Sequence, residues 1–130
     1  MDISLILPES EVAAVTSVGS DIFVRFSAAA MRKTSSAEGE KPSYGFSKGI
    51  VLQLRGAQLI GQEDPKMGRV SAGRLQLAGE WRKEIPVPFE FHGRVHFELT
   101  FANGAYLVAG GSGISLQFEG EPNFTESLAC

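Results

Sequence analysis

Cysteine is almost missing from this sequence of 130 residues, because its one cysteine is the last residue, Cys130. A lone cysteine cannot form an internal disulfide and has no second thiol with which to hold a metal cluster. A reducing compartment, by default the cytoplasm, is therefore the expected location. Cys130 also differs from a prenylated cysteine, which lies four residues from the C-terminus.

Long apolar runs are missing as well. The apolar residues at positions 3–7 are interrupted and end at Pro8, so they lack the apolar core and the basic flank of a secretory signal. No window approaches the roughly 20 apolar residues that a membrane-spanning helix requires. We therefore expect a soluble protein that has no membrane partner.

A basic excess is also absent, since the chain carries 12 basic and 15 acidic residues and has a net charge of −3. An acidic chain whose basic residues are not interleaved with aromatic residues is poorly suited to nucleic acid, and we expect no nucleic-acid partner. The charge is unevenly placed: residues 41–83 carry 8 basic and 3 acidic side chains, whereas residues 84–130 carry 1 and 6. This split fits neighbouring strands that attract each other, or a dipolar surface that steers a charged partner.

Helical periodicity is not found in any long stretch, and alternation of apolar and polar residues dominates instead. The clearest case is residues 85–101, IPVPFEFHGRVHFELTF, where every odd position is apolar or glycine and every even position from 90 onward is polar. Such alternation is typical of antiparallel strands with one buried face. We predict one all-β domain over residues 1–130, an antiparallel β-sandwich or partly open β-barrel of seven to eight strands.

Turn signals predict how the C-terminal strands connect. The Asn-Gly pair at 103–104 predicts a two-residue hairpin turn that places Phe101 opposite Tyr106. The segment GGSG at 110–113 predicts a second turn. The two turns together predict a C-terminal three-stranded meander of residues 94–102, 105–110 and 114–119.

Three further segments have local signals. Residues 31–43 hold almost nothing to bury and are predicted to form a long surface loop. The strand that begins near residue 69 is expected to pair antiparallel with the strand that begins at residue 50. Because proline cannot donate to a ladder, the two prolines within residues 85–89 indicate an edge strand or a linker.

The polar row of residues 85–101 is the candidate site. Arg94, His96 and Glu98 share one face, and His96 and Glu98 lie about 6.6 Å apart along a strand, within reach of a hydrogen bond. His92 and His96 lie about 13 Å apart on a straight strand, which is too far for one metal ion. No nucleophile elbow or phosphate-binding loop accompanies them, so the sequence assigns no catalytic residue, no metal ligand and no cofactor. The row is interpreted as the solvent-facing side of a sheet.

The leading functional hypothesis is a non-catalytic β-domain that binds another protein or assembles with itself. Val87, Phe89 and Phe91 lie in the expected edge segment, where a partner strand could add. Trp81, which is surrounded by charged residues, is either a half-buried strand-end anchor or an exposed recognition residue.

Two other functions stay open. A β-barrel that binds an apolar small molecule is suggested by nine phenylalanines and by the loop at 31–43 as a lid, although large inward side chains favour a filled interior. An enzyme is the third hypothesis. It would use His96 and Glu98, with Arg94 as a charged helper, on an acidic small substrate.

Overall fold

The computed structural model describes residues 2–34 and 41–127, and these residues form strands and no helix. The strands are β1 (Asp2–Val18), β2 (Asp21–Thr34), β3 (Ser43–Ser47), β4 (Ile50–Arg55), β5 (Gln58–Glu63), β6 (Gly68–Leu77), β7 (Glu80–Arg82), β8 (Glu84–Pro86), β9 (Phe89–Phe101), β10 (Tyr106–Phe118) and β11 (Thr125–Glu126). Every pairing between them is antiparallel. The prediction of an all-β antiparallel fold is confirmed.

Six of these strands close a barrel. The pairing runs from β2 to β4, β10, β9, β6 and β1, and β1 pairs back with β2. The remaining strands add to this ring: β3 beside β2 and β11 beside β3, β8 beside β1, β7 beside β6 and β5 beside β10. The described residues thus contain more strands than the predicted seven to eight, because strands of two or three residues are too short to show a period in the sequence.

The ring is joined unevenly. β1 pairs with β2 along most of its length, but it meets β6 at two residue pairs only, Glu11 with Arg69 and Val12 with Gly68. We call these two pairs the β1–β6 seam. Val12 and Gly68 are far apart in the sequence, so the seam joins distant parts of the chain.

The predicted alternation decides which side chains enter the core. From Val95 onward, the odd-numbered residues of β9 point inward and are at most 1% exposed: Val95, Phe97, Leu99 and Phe101. The even-numbered residues of β4 also point inward, and Ile50, Leu52 and Leu54 are fully buried. Both inward faces agree with the sequence pattern, because a half-buried strand presents every second residue to the core.

The β9–β10 hairpin differs from the prediction by one residue. The Phe101 amide donates to the Ala105 carbonyl at 2.8 Å, so three residues connect the strands rather than two. Only Gly104 of the Asn-Gly pair has a positive φ, of 89°, whereas the predicted turn type requires it at both positions. A slip of one residue turns every following side chain to the other face. Leu107 is therefore buried, and Tyr106 points outward with 37% exposure.

The predicted C-terminal meander is wrong, because residues 110–113 do not reverse the chain. β10 continues through them and pairs with β9 on both sides of the segment. The inward face changes parity across it, since Leu107 and Ala109 are buried before it and Ile114 and Leu116 after it. A turn and a change of face both interrupt the alternation, and the local sequence does not distinguish them.

A bulge in β9 lies opposite this glycine-rich segment. Gly111 pairs with Val95 and Gly113 pairs with His92, so Gly93 and Arg94 together oppose one residue of β10. Gly93 has a φ of 149°, in the region that favours glycine. A bulge of this kind bends its strand, here at Gly93 and Arg94.

Two other predictions about connections are wrong. β6 pairs with β9 and β1 rather than with β4, because β4 already has β2 and β10 on its two edges. The loop predicted over 31–43 is in fact strand at both ends: Met31 is 1% exposed within β2, and Ser43 begins β3. Residues 35–40 of the predicted loop lie outside the described residues.

Candidate functional site

The candidate site lies on the side of β7, β6, β9, β10 and β5 that points away from the barrel interior, which we call the outer face. Its central row follows the strand register from Trp81 to Gln76, His96, Gly110 and Gln58. Residues that are directly opposite in an antiparallel pair point to the same side of the sheet. The predicted solvent-facing row of β9 therefore continues across four neighbouring strands.

Glu98 is the centre of a polar cluster on this face. Its Oε1 accepts a hydrogen bond from Arg74 Nε at 3.0 Å, and its Oε2 accepts one from the Arg74 guanidinium at 3.3 Å. His96 Nε2 lies 2.7 Å from the same Oε2. The contact between His96 and Glu98 that their spacing suggested is thus present, and Arg74 of β6 joins it.

Trp81 packs against the same cluster. The Arg74 guanidinium carbon lies 3.9 Å from the centre of the Trp81 ring, in a cation–π arrangement, and the His96 ring meets Trp81 edge-on at 5.8 Å. Trp81 nevertheless stays 46% exposed. These contacts orient the indole and leave much of it open to a partner.

The cluster sets the protonation of its carboxylate. The hydrogen bond from the Arg74 guanidinium lowers the pKa of Glu98, partial burial raises it, and the hydrogen bond with His96 lowers it further, so that the net shift is downward. Glu98 is therefore a weak proton acceptor at neutral pH, with both oxygens engaged. This arrangement does not favour the general-base role that the enzyme hypothesis gave to Glu98.

Replacing Glu98 with glutamine is expected to destabilise the protein more at neutral pH than in acid. A pKa that is lowered on folding contributes stability above the unfolded value of about 4.3, and that contribution disappears as the pH falls through the lower folded value. Urea unfolding of wild type and Glu98→Gln between pH 7 and pH 3 measures the difference. The exposed Glu121, as Glu121→Gln, is the control. A loss for Glu98→Gln that is equal at all pH values would contradict the prediction.

Arg94 lies apart from the cluster, beside a groove in the outer face. The groove has a volume of about 440 Å³, and among its lining residues are Gln58, Gln76, Arg94, His96, Gly110 and Ser112. Arg94 stands at the β9 bulge, opposite the point where β10 changes face. The arginine that contacts Glu98 is therefore Arg74 rather than Arg94, and Arg94 lines the groove instead.

The apolar residues of the expected edge segment are mostly inside. Val87 is 6% exposed, and Phe89 and Phe91 are half-buried against the core. The edge strand is β8, which comes just before these residues in the chain, pairs with β1 alone and ends at Pro86. Val87, Phe89 and Phe91 thus contribute to packing and are not on the outer face.

Sequence reasoning missed Arg74, Gln76, Ile60 and Gly110. Arg74 and Gln76 were hidden because β6 was expected to pair with β4, which would place them far from Glu98. Their polar alternation along β6 was the available signal. It identifies an outward face but not the neighbouring strand.

Comparisons with protein-family models, with curated proteins and with solved structures found no match to this chain. The function must therefore be argued from the residues. Within residues 2–34 and 41–127, no three His, Cys, Asp or Glu side chains are grouped so that they could hold a metal ion. The same residues contain no helix with the length and apolarity that crossing a membrane requires.

Proposed function

We propose that this protein is a non-catalytic β-domain that binds another protein chain through its outer face. The observation that carries the proposal is the exposure of Ile60, Trp81 and Tyr106, at 63%, 46% and 37%. Trp81 and Tyr106 follow the outward register of β7 and β10, and Ile60 projects toward Gly110 at the centre of the face.

The residue types on this face support an interface. Tryptophan, tyrosine and arginine supply most of the binding energy at protein interfaces, because they bury a large area and also carry polar groups. Here Trp81 and Arg74 stack on each other, and Arg74 is fixed by Glu98. Side chains that are already ordered lose little entropy on binding. The cluster is thus suited to recognition.

The β5 edge adjoins this face. β5 pairs with β10 alone, and its six residues, QLIGQE, include no proline and no basic residue. Other strands with one neighbour in the described chain are protected: β8 ends at Pro86, and β7 and β11 have only three and two residues. Proline, lysine, short length and β-bulges are the usual means of preventing strand addition, and of these β5 has only a bulge, where its register with β10 shifts between Val108 and Ala109. A partner strand at β5 would extend the sheet next to Ile60.

The carrier hypothesis has less support. An eight-strand barrel is about the narrowest that can hold a small ligand, and this ring has six strands. Large side chains that are at most 1% exposed, such as Phe97 and Phe101, occupy its interior. This packing therefore favours an interior that is filled by side chains over one that holds an apolar ligand.

A photo-reactive amino acid at position 60 tests the proposal. In the purified protein at high concentration, and in cells that naturally express it, cross-links from position 60 to a discrete partner chain are expected. Position 44 is the matched control, because Tyr44 is a 54% exposed apolar residue on β3, away from the outer face. A covalent dimer of this chain would identify self-assembly, and an adduct with a different chain would identify another protein.

A second variant provides an independent check. Ile60→Lys is expected to weaken the association by at least about tenfold, since a charge would replace a central apolar contact. Tyr44→Lys is expected to have no effect. Equal labelling from positions 60 and 44, or no discrete adduct in either setting, would show that the outer face does not bind a protein.

A further inference from the structure

The groove beside Arg94 has lining residues that differ in charge from the rest of this acidic protein. Its lining residues include Arg94, Gln58 and Gln76, and none of the residues that line it is acidic. It is therefore rich in hydrogen-bond donors and has no fixed negative charge of its own. His96 also lines the groove, and it contacts Glu98, which does not line it.

Arg94 differs from every other arginine of the chain. Each of the other six forms an ion pair with a glutamate; the pairs are Arg25–Glu119, Arg32–Glu84, Arg55–Glu90, Arg69–Glu9, Arg74–Glu98 and Arg82–Glu80. Arg94 has no such partner among the described residues, and it is exposed. The groove thus holds a guanidinium whose charge is not balanced by the fold.

Gly110 forms part of the groove floor, and the fold does not require a glycine there. Its φ is not positive, and a Cβ at this position would meet the Val95 carbonyl oxygen at 3.6 Å and Ile60 Cδ1 at 4.0 Å, both ordinary contacts. Glycine weakens a strand, and in strand interiors it often marks a close approach by a ligand. The missing side chain leaves the floor open.

Ser112 closes the end of the groove where the strand register changes. It is paired with no residue of β9 or β4 in the described ladder, because β10 shifts register between Gly111 and Gly113. Its hydroxyl donates to the Arg55 carbonyl at 3.3 Å. The backbone of Ser112 therefore lies at a break in the sheet, next to Arg94.

We propose that this groove binds the anionic group of a small molecule, a carboxylate or a phosphate, with Arg94 as its principal contact. A guanidinium matches the two oxygens of either group with two parallel hydrogen bonds. The Gln58 amide offers further donors, and the Gln76 amide, which already donates to the Gly79 carbonyl at 3.2 Å, has a second N–H. The volume of about 440 Å³ falls in the usual range of ligand sites, which leaves room for the rest of the molecule above the glycine floor. The groove lies within the outer face, and anion binding there is tested in the protein alone, without the proposed protein partner.

An NMR titration of the full-length protein tests the site, with inorganic phosphate and with citrate as separate probes in a phosphate-free buffer. Saturable shifts of the backbone amides of Gly110, Gly111 and Ser112 are expected. Saturation with phosphate alone would assign the site to phosphate groups, and saturation with citrate alone would assign it to carboxylates. Arg94→Gln is expected to weaken binding by at least about tenfold, because a charge-assisted contact is lost.

Arg25→Gln is the matched control. Arg25 is an exposed arginine on β2 that does not line the groove and is paired with Glu119, and its loss is expected to leave the affinity unchanged. The same spectra show whether each variant is folded. Shifts that fail to saturate with either probe would overturn the proposal. So would equal weakening by the two variants, because it would show that only net charge matters.

Discussion

Replacing Phe97 with alanine is expected to lower the free energy of unfolding by about 3–5 kcal/mol, the range for loss of a buried phenylalanine side chain. Phe97 is fully buried on β9 and pairs with Leu75 on one side and Ala109 on the other. Its ring therefore fills the middle of the barrel, where no neighbour can move in without breaking a strand pairing. Urea unfolding followed by circular dichroism measures the loss.

The adjacent residue provides the control. His96 lies on the opposite face of β9, and His96→Gln is expected to change stability by no more than about 0.5 kcal/mol, because the glutamine amide can still donate to Glu98. A small loss for Phe97→Ala together with a large loss for His96→Gln would show that the two faces of β9 are assigned the wrong way round.

Neighbouring glycines in β10 are expected to respond to alanine in opposite ways. Gly111→Ala should destabilise the protein by about 1–3 kcal/mol, the usual cost of overpacking. Its added Cβ would lie 2.8 Å from Leu54 Cδ1 and 2.9 Å from the Arg55 carbonyl oxygen. Leu54 is fully buried and the oxygen belongs to the backbone, so neither can yield easily.

Gly110→Ala should leave stability unchanged or raise it by up to about 1 kcal/mol. Its Cβ meets only ordinary contacts, and alanine restricts the unfolded chain more than glycine does. Thermal unfolding of the two variants side by side measures the difference. If Gly110→Ala proved as damaging as Gly111→Ala, the fold would require both glycines. The glycine at position 110 would then no longer indicate space for a ligand.

The sequence predicted which face of a strand such as β9 is buried, but, apart from the β9–β10 hairpin, it did not predict which strands lie next to each other in the sheet. Alternation along β9 correctly placed Phe97 inside and His96 outside, because burial acts on each residue of a strand separately. Which strand lies beside β9 depends on contacts between distant residues, and a single sequence does not record them. Arg74 is the clearest example: its outward position was readable, but its contact with Glu98 was not.

The glycine-rich segment shows a second limit. Residues 110–113 were predicted to form a turn, but two different structures interrupt the alternation of a strand in the same way. A chain that reverses and a strand that changes its inward face both need residues with few steric restrictions. The bulge at Gly93 and Arg94, on the neighbouring strand, makes the second outcome the stable one here. The groove beside Arg94 could therefore not be predicted from either segment alone.

The β1–β6 seam has a consequence for the order of folding. The β1–β2 and β9–β10 hairpins join residues that are close in the chain, so little entropy is lost when they form. The seam joins Val12 to Gly68 across a long loop, through two ladder pairs and through packing of β1 side chains such as Leu7 against β6. Contacts between distant residues form slowly for this reason. We infer that the pairing at the seam forms late in folding, after the two hairpins.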